Sequence, residues 1–416
     1  MEVYNAESTE EKINMTTKKS KNMVVKLSAP NIMSVCWIII CFKIIVTDNS
    51  ATRNIFDYLL FGSAVVYTMI SAFTKKLTGS AGKKILGYFL MLLAICVMGV
   101  IRNMTTVAII SVIGVFCVLT IVLSCGFYCN EIQSFYIKPM FYLVIFRLLM
   151  RTVNGDYLGN TTSGVLCFLT YSFIISVMVS WGDENHKKNK IFRAIDLILI
   201  AGAFILMIYI SWESNARTAV LTSIGIVAVY MFISVRKYGR KKLDRFFWII
   251  CVAVVLLTAV YINIHSFSWY GVLNQYSRSS FGKNLDSSRP ALWSYSLQSL
   301  SLLEFIIGKG TGILPTFRTY QSFHNSFLQL IMQNGLLGLI QLILIFRTLW
   351  SRIAEHSDDK VCRMIIACII GIIVYNLFEC TLLQNKIFLG MCEWILICMG
   401  VVRSRQLDIK ETYYYS

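Results

Sequence analysis

Apolar runs near twenty residues long recur along almost the whole chain, and that feature leaves it very few folds. A run of this length, coiled as an α-helix, spans the hydrocarbon core of a bilayer and closes its backbone hydrogen bonds within itself. Candidate spans fall near 27–46, 55–73, 86–101, 104–124, 135–150, 161–181, 191–211, 218–235, 246–265, 323–346, 363–378 and 386–402. The expectation is an all-α polytopic membrane protein with about twelve transmembrane helices. The run 86–101 is short, and 135–150 carries Lys138 and Arg147. A composition of 56% hydrophobic and 15% charged residues also rules out a soluble domain of 416 residues.

The formal charge of +17 would point to nucleic acid in a soluble chain, but here it is read by location. With the N-terminus inside, the basic stretches "TKKLTGSAGKK", "NHKKNK", "RKYGRKKLDR", "RTLWSRIAEHSDDKVCR" and "RSRQLDIK" all fall on the cytoplasmic side, and nucleic acid is not expected as a partner. The first span follows a polar tail with no small-residue cleavage site after it, so it is read as a span and not a signal peptide. The division is then a cytoplasmic basic tail 1–26, transmembrane helices one to nine in 27–265, a long external loop 266–322, helices ten to twelve in 323–402, and a cytoplasmic tail 403–416. The thirteen cysteines lie mostly inside apolar runs, where a thiol behaves as a small hydrophobe, and Cys125 and Cys129 lack the further ligands of a zinc site.

The 266–322 segment is far longer than a helix connection requires. Its apolar positions Leu292, Trp293, Tyr295, Leu297, Leu300 and Leu303 have helical spacing, which predicts a short amphipathic helix at the outer interface. Arg289 precedes that helix, Pro290 suits its first turn, and Ser287 or Ser288 is a candidate cap. Arg278 and Lys283 are weaker basic candidates in the same loop. A second constellation, Ser214, Asn215, Ala216, Arg217 and Thr218, stands at the outer start of the eighth span. Arg217 and Arg289 each have two readings. Either could be a solvated or snorkelling cation at a helix start, or a planar fork aimed at an anion such as a diphosphate.

A third constellation opens the tenth span: Ser322, His324, Asn325 and Ser326. Ser322 or Asn325 is a candidate helix cap. A histidine in the first helical turn meets the positive end of the helix dipole, which favours the neutral ring that a general base needs, although interfacial histidines also serve as amphipathic filler. Gly335 and Gly338 in "NGLLGL" are read as sites of close helix packing. "GKGTG", Gly308 to Gly312, lacks the context and the lysine-serine pair of a nucleotide loop and is read as a turn.

Taken in order, the S-x-x-R-T at a span start, the loop with S-R-P-x-x-W and G-K-G-T-G, and "HNSFLQLIMQNGLLGL" resemble the O-antigen ligase and Wzy polymerase superfamily over residues 210–380. Two departures stand out: Asn334 follows Gln333, and Glu379 in "NLFECTLLQNK" aligns only loosely. The resemblance implies a glycosyltransferase of the bacterial cytoplasmic (inner) membrane, working on the outer face with an undecaprenyl-diphosphate-linked glycan donor. Arg217 and Arg289 would hold the diphosphate, His324 would be the general base, and Asn325 and Glu379 are weaker site candidates. No cofactor is implied, and with no D-x-D pair in the outer segments the diphosphate charge falls to arginines, so metal-independent transfer is expected. A base with no carboxylate nucleophile points to inversion. Loop aromatics Trp269, Tyr270, Tyr276, Trp293, Tyr295 and Tyr320 are either sugar platforms or members of the interfacial aromatic belt.

The favoured reading is a polymerase of capsular or O-antigen-type polysaccharide whose donor and acceptor are both lipid-linked repeat units, with a chain-length regulator and a flippase as pathway partners. A ligase of the same superfamily differs only in its acceptor. A flippase-type transporter is the rival from another class, for which internal repeats and polar residues at the membrane midplane are the signs to look for.

Overall fold

The computed structural model describes residues 30–46, 50–74, 77, 79–155, 159–182, 190–236, 238–282, 284–286, 289–315, 322–383 and 387–415. Described residues form fifteen helices and no strand. They are α1 (Ile32–Val46), α2 (Ser50–Thr74), α3 (Ser80–Asn103), α4 (Thr106–Ile121), α5 (Ser134–Val153), α6 (Asn160–Trp181), α7 (Lys190–Glu213), α8 (Arg217–Arg236), α9 (Arg240–Ile262), α10 (Tyr270–Phe281), α11 (Arg289–Gln298), α12 (Leu302–Ile307), α13 (Ser326–Ala354), α14 (Lys360–Phe378) and α15 (Ile387–Tyr415). The chain is an all-α, multi-pass membrane protein.

Each expected span coincides with a helix among the described residues, but nine of these helices are long and apolar enough to cross a bilayer by length and composition, against the twelve expected. The three others differ for identifiable reasons. α1 has 15 residues, α5 carries Lys138, Arg147 and Arg151, and α15 carries Glu393 and runs on into the charged stretch Arg403–Tyr415. Lys138 and Arg147 of α5 have partners: Lys138 Nζ meets the buried Asp196 Oδ2 of α7 at 2.8 Å, to whose Oδ1 Tyr142 Oη donates at 2.9 Å, and Arg147 Nε donates to Ile45 O at 3.0 Å. Charge inside a bundle persists where it is paired this way.

The centre of the bundle is α14 and the first half of α15, where Ile365 to Ile369 and Trp394 to Met399 have no exposure at all. α8 lies against α14 where Gly371 admits Ile226. α4 continues as a π-helical stretch, Val122–Tyr128, and Arg405 of α15 donates to the carbonyls of Phe127 (2.6 Å), Gly126 (2.7 Å) and Cys129 at its end. All thirteen cysteines are free, and all but Cys251 are buried, as small hydrophobes would be.

α13 is one helix with a break. Gly335 has φ 67° and ψ −171°, so the i→i−4 ladder cannot pass through it, and carbonyls just before it need other donors. The glycine-rich segment supplies them: Lys309 N–H donates to Met332 O at 2.8 Å and Gly310 N–H to Gln333 O at 3.1 Å. A Cβ on Gly308 would lie 2.3 Å from Gln333 O, and one on Gly335 would lie 2.2 Å from Ile306 O. Gly335 therefore does allow close packing, of backbone against backbone. The GKGTG turn acts as a plug, held from α3 by Arg102 Nη1 on Gly308 O (2.9 Å) and Asn103 Nδ2 on Thr311 O (3.2 Å).

The expected single amphipathic helix over 292–303 is instead two. Ser301 and Glu304 make a capping box that starts α12 anew, which separates Leu303 from the face bearing Leu292. α11 buries Leu292 and Trp293 in a small core with Phe323, Leu328, Met332 and Cys380, so it packs on the bundle as well as lying beside it.

Candidate functional site

α7 stops at a turn built by its own sequence. Asn215 takes φ 54°, a left-handed conformation asparagine tolerates, and Ala216 N–H then reaches back to Ser211 O at 2.8 Å. Ser214, buried, places its hydroxyl 2.6 Å from Ile210 O and 3.1 Å from Ser163 Oγ of α6. α8 therefore begins on Arg217, whose Nη1 donates to Ser277 Oγ of α10 (3.0 Å) and Nη2 to Asn284 O (3.3 Å). The guanidinium and the helix N-terminus add positive potential at one spot. Arg278, the weaker candidate, is exposed on α10 and donates from Nε to Asn284 Oδ1 at 2.5 Å. Lys283, Ser287, Ser288 and Tyr320 lie outside the described residues.

Arg289 and Trp293 are four apart at the start of α11 and so share a face. Trp293 is fully buried, with its ring 4.9 Å from that of Tyr261, and its Nε1–H donates to Phe323 O at 2.8 Å. The sugar-platform reading of Trp293 is thereby overturned: its ring faces other side chains, and its N–H fixes the peptide preceding His324. From the same anchored helix Arg289 Nη2 reaches Glu379 Oε1 at 3.5 Å.

The start of α13 also differs from expectation. Asn325, not Ser322, is the N-cap, its Oδ1 accepting from Phe327 N–H (3.0 Å) and Leu328 N–H (2.9 Å). His324 consequently sits one residue outside the helix, with φ 52° and its N–H on Ser322 Oγ at 3.2 Å, and not in the first turn. Its imidazole stands near a carboxylate: His324 Nδ1 is 4.0 Å from Glu379 Oε2. Asn325 also lines the top of an apolar groove of about 300 Å³ between α9 and α13.

Glu379, the loosest of the candidates in sequence, stands at the centre. It ends α14 in extended backbone, with Arg289 on one carboxylate oxygen and His324 near the other. A cavity of about 990 Å³ is lined by Arg217, Arg289 and Glu379 together with Trp212, Tyr261 and Tyr375. Arg217 and Arg289, distant in sequence, thus meet in one cavity, whereas His324 lies outside its lining and connects to it through Glu379. The inventory that lacked a carboxylate is also revised, because Glu379 is on the wall. Neighbouring Cys380 is no nucleophile: burial pushes its thiol up to about 12, and its sulfur accepts Asn325 N–H at 3.1 Å.

Ser326 of the His324 constellation and Asn376, which did not stand out in the sequence, hold this geometry. Ser326 N–H donates to Glu379 O at 3.1 Å, and its Oγ lies 2.7 Å from Asn376 Oδ1, so the start of α13 is spliced to the end of α14. The only signal for Asn376 was an asparagine within an apolar span.

Residues 202–343 match the family described as O-antigen ligase, in agreement with the superfamily that the motif order resembles. The matched stretch contains Arg217, Arg289 and His324, and Glu379 lies beyond it. Members of that family are glycosyltransferase-like enzymes acting on lipid-linked oligosaccharides in the membrane. No curated protein matches the chain.

Proposed function

We propose that this protein is a metal-independent glycosyltransferase that joins polyprenyl-diphosphate-linked oligosaccharide repeat units on the outer face of the bacterial cytoplasmic membrane, with both termini cytoplasmic. The observation that carries the reading is the meeting of Arg217, Arg289 and Glu379 on one cavity, with His324 4.0 Å from that carboxylate. Two guanidinium forks suit the four oxygens of a diphosphate and remain charged throughout the working pH range. A cavity of about 990 Å³ has room for a diphosphate and several sugar rings.

In this mechanism the acceptor hydroxyl gives its proton to the His324 imidazole while its oxygen forms a bond to the anomeric carbon of the donor. The bond from that carbon to the diphosphate oxygen breaks, and the polyprenyl diphosphate leaves with the electron pair, its added charge met by Arg217 and Arg289. Glu379 orients the imidazole and holds Arg289 in place between turnovers. Direct displacement inverts the anomeric centre. Retention would instead identify Glu379 as a nucleophile forming a glycosyl-enzyme.

Both substrates in this reading carry lipid tails, which makes the protein a polymerase. Surface glycan from cells producing wild type, His324→Ala or Arg217→Ala at equal membrane abundance tests it on a gel. A ladder in wild type and a single repeat unit in both variants is the expected result. Ladders that persist on lipid without reaching their final acceptor identify a ligase, and wild-type glycan in both variants removes the transferase assignment.

A further inference from the structure

Glu393 is the one carboxylate with no exposure at all among the described residues, and it stands in the apolar part of α15. A carboxylate in such a place is expensive and is retained for what it holds. Its Oε2 accepts Asn376 Nδ2–H at 3.0 Å and its Oε1 lies 2.8 Å from Thr381 Oγ1. Asn376 Oδ1 in turn accepts Thr381 N–H (3.1 Å) and Leu382 N–H (3.2 Å) and lies 2.7 Å from Ser326 Oγ. Neighbouring residues of α15, one directly after Glu393 and one about a turn before it, continue the attachment. Trp394 Nε1–H donates to Leu382 O at 2.7 Å, and a Cβ on Gly390 would lie 2.0 Å from Thr381 O. The backbone just after Glu379 is therefore clamped to α15 by a carboxylate, an indole and the absence of a side chain.

We propose that Glu393 is a positioning residue for the proposed transfer: acting through Asn376 and Thr381, it sets where the Glu379 turn lies against His324 and Arg289. The inference rests on the function proposed above for that site. Glu393 lines neither the cavity nor the groove, so its influence travels through the turn alone. Ser326, two residues after His324, shares the same asparagine and also donates its N–H to Glu379 O, so one hydrogen-bonded cluster holds both members of the pair. A cluster of this kind acts more on turnover than on substrate affinity, because it moves the base and its orienting carboxylate directly and reaches an arginine at second hand, through the contact of Glu379 with Arg289.

The test uses the full-length protein in lipid nanodiscs, with lipid-linked glycan extracted from the producing cells as substrate. Two variants approach the cluster from different helices: Glu393→Leu on α15, and Thr381→Val on the turn itself, which preserves α15 should the first fail to accumulate. Each is expected to lower kcat at least tenfold with KM within about twofold. Glu393→Gln, which keeps one acceptor and a hydrogen-bonding partner for the second position, is expected to give an intermediate rate. A second readout is independent of transfer: carbethoxylation of His324 followed by mass spectrometry, with His265 and His356 as internal standards. In both variants the His324 rate should change several-fold while the standards hold. If Thr381→Val and Glu393→Leu keep wild-type labelling of His324, or raise KM and leave kcat alone, Glu393 does not position this site. Changed labelling in a protein whose wild type transfers no sugar would keep the positioning role and discard the transferase reading.

Discussion

Residues 270–298 and residues 302–313 belong to one connection between α9 and α13, yet the first offers side chains to a cavity and the second offers bare backbone to a broken helix. In the first, Ser277, Arg289 and Trp293 hold or supply charge at the site. In the second, Gly308, Gly310 and Gly312 leave room for carbonyls and amides to meet, as does Gly335 opposite them on α13, with all four at positive φ. Side-chain chemistry governs one region and side-chain absence governs the other, so substitutions should fail in different ways: activity without stability in the first, stability itself in the second.

Gly335→Ala should break the comparison most severely. The backbone there is one that alanine rarely adopts, and its Cβ would lie 2.2 Å from Ile306 O, so a loss of about 3 kcal/mol or more is expected. Thermal unfolding in detergent, or abundance in the membrane, reads it; a wild-type melting temperature would show that the plug is dispensable. His324→Ala belongs to the opposite class. Loss of a general base is expected to lower kcat ~10²- to 10⁴-fold with the melting temperature unchanged.

Arg289→Lys sharpens the first region further. A lysine keeps the charge but loses the fork, and kcat/KM should fall ~10- to 100-fold, corresponding to about 1.4–2.7 kcal/mol. An unchanged value would mean that the diphosphate is not bound there. Trp293→Phe is intermediate between the two classes, because it keeps the aromatic body but orphans the buried Phe323 carbonyl. About 1–2 kcal/mol of stability and part of the turnover should go together. If stability falls while kcat holds, the tryptophan serves the small core and not His324.

The smallest effect lies at the other end of the bundle. At Asp359, the N-cap of α14, burial would raise the carboxyl pKa, but Arg403 at 2.8 Å and the Val361 and Cys362 N–H groups hold it below the ordinary aspartate range. A lowered folded value stabilises the protein above the unfolded pKa of about 3.9, and that contribution is lost as pH falls through the folded value. Asp359→Asn should therefore cost about 1 kcal/mol at neutral pH and flatten the acid limb of the melting-temperature profile, leaving glycan transfer as it was.

The helices were legible because each span is long, apolar and locally self-satisfied, and such segments need no knowledge of their neighbours. Arg217, Arg289 and His324 were legible as candidates because a cation or a histidine at the edge of an apolar run is conspicuous. Their grouping was not, since α8, α11 and α13 start far apart in the chain. The break at Gly335 was hidden for a related reason. A glycine in "NGLLGL" is compatible with an intact helix, and only the arrival of Lys309 and Gly310 N–H groups makes the broken one stable.

By itself, then, the sequence determined that this chain lives in a membrane as an all-helical bundle, and where its polar chemistry can sit along each helix, because hydropathy and capping act over a turn or two. Tertiary structure alone decided that Glu379 stands between Arg289 and His324, that Trp293 serves as an anchor, and that Glu393 is clamped to the turn beside them. The first two are relations between segments separated by whole spans, set by packing around α14, and the third is a cluster of hydrogen bonds across the turn between α14 and α15, whose partners no single helix brings together.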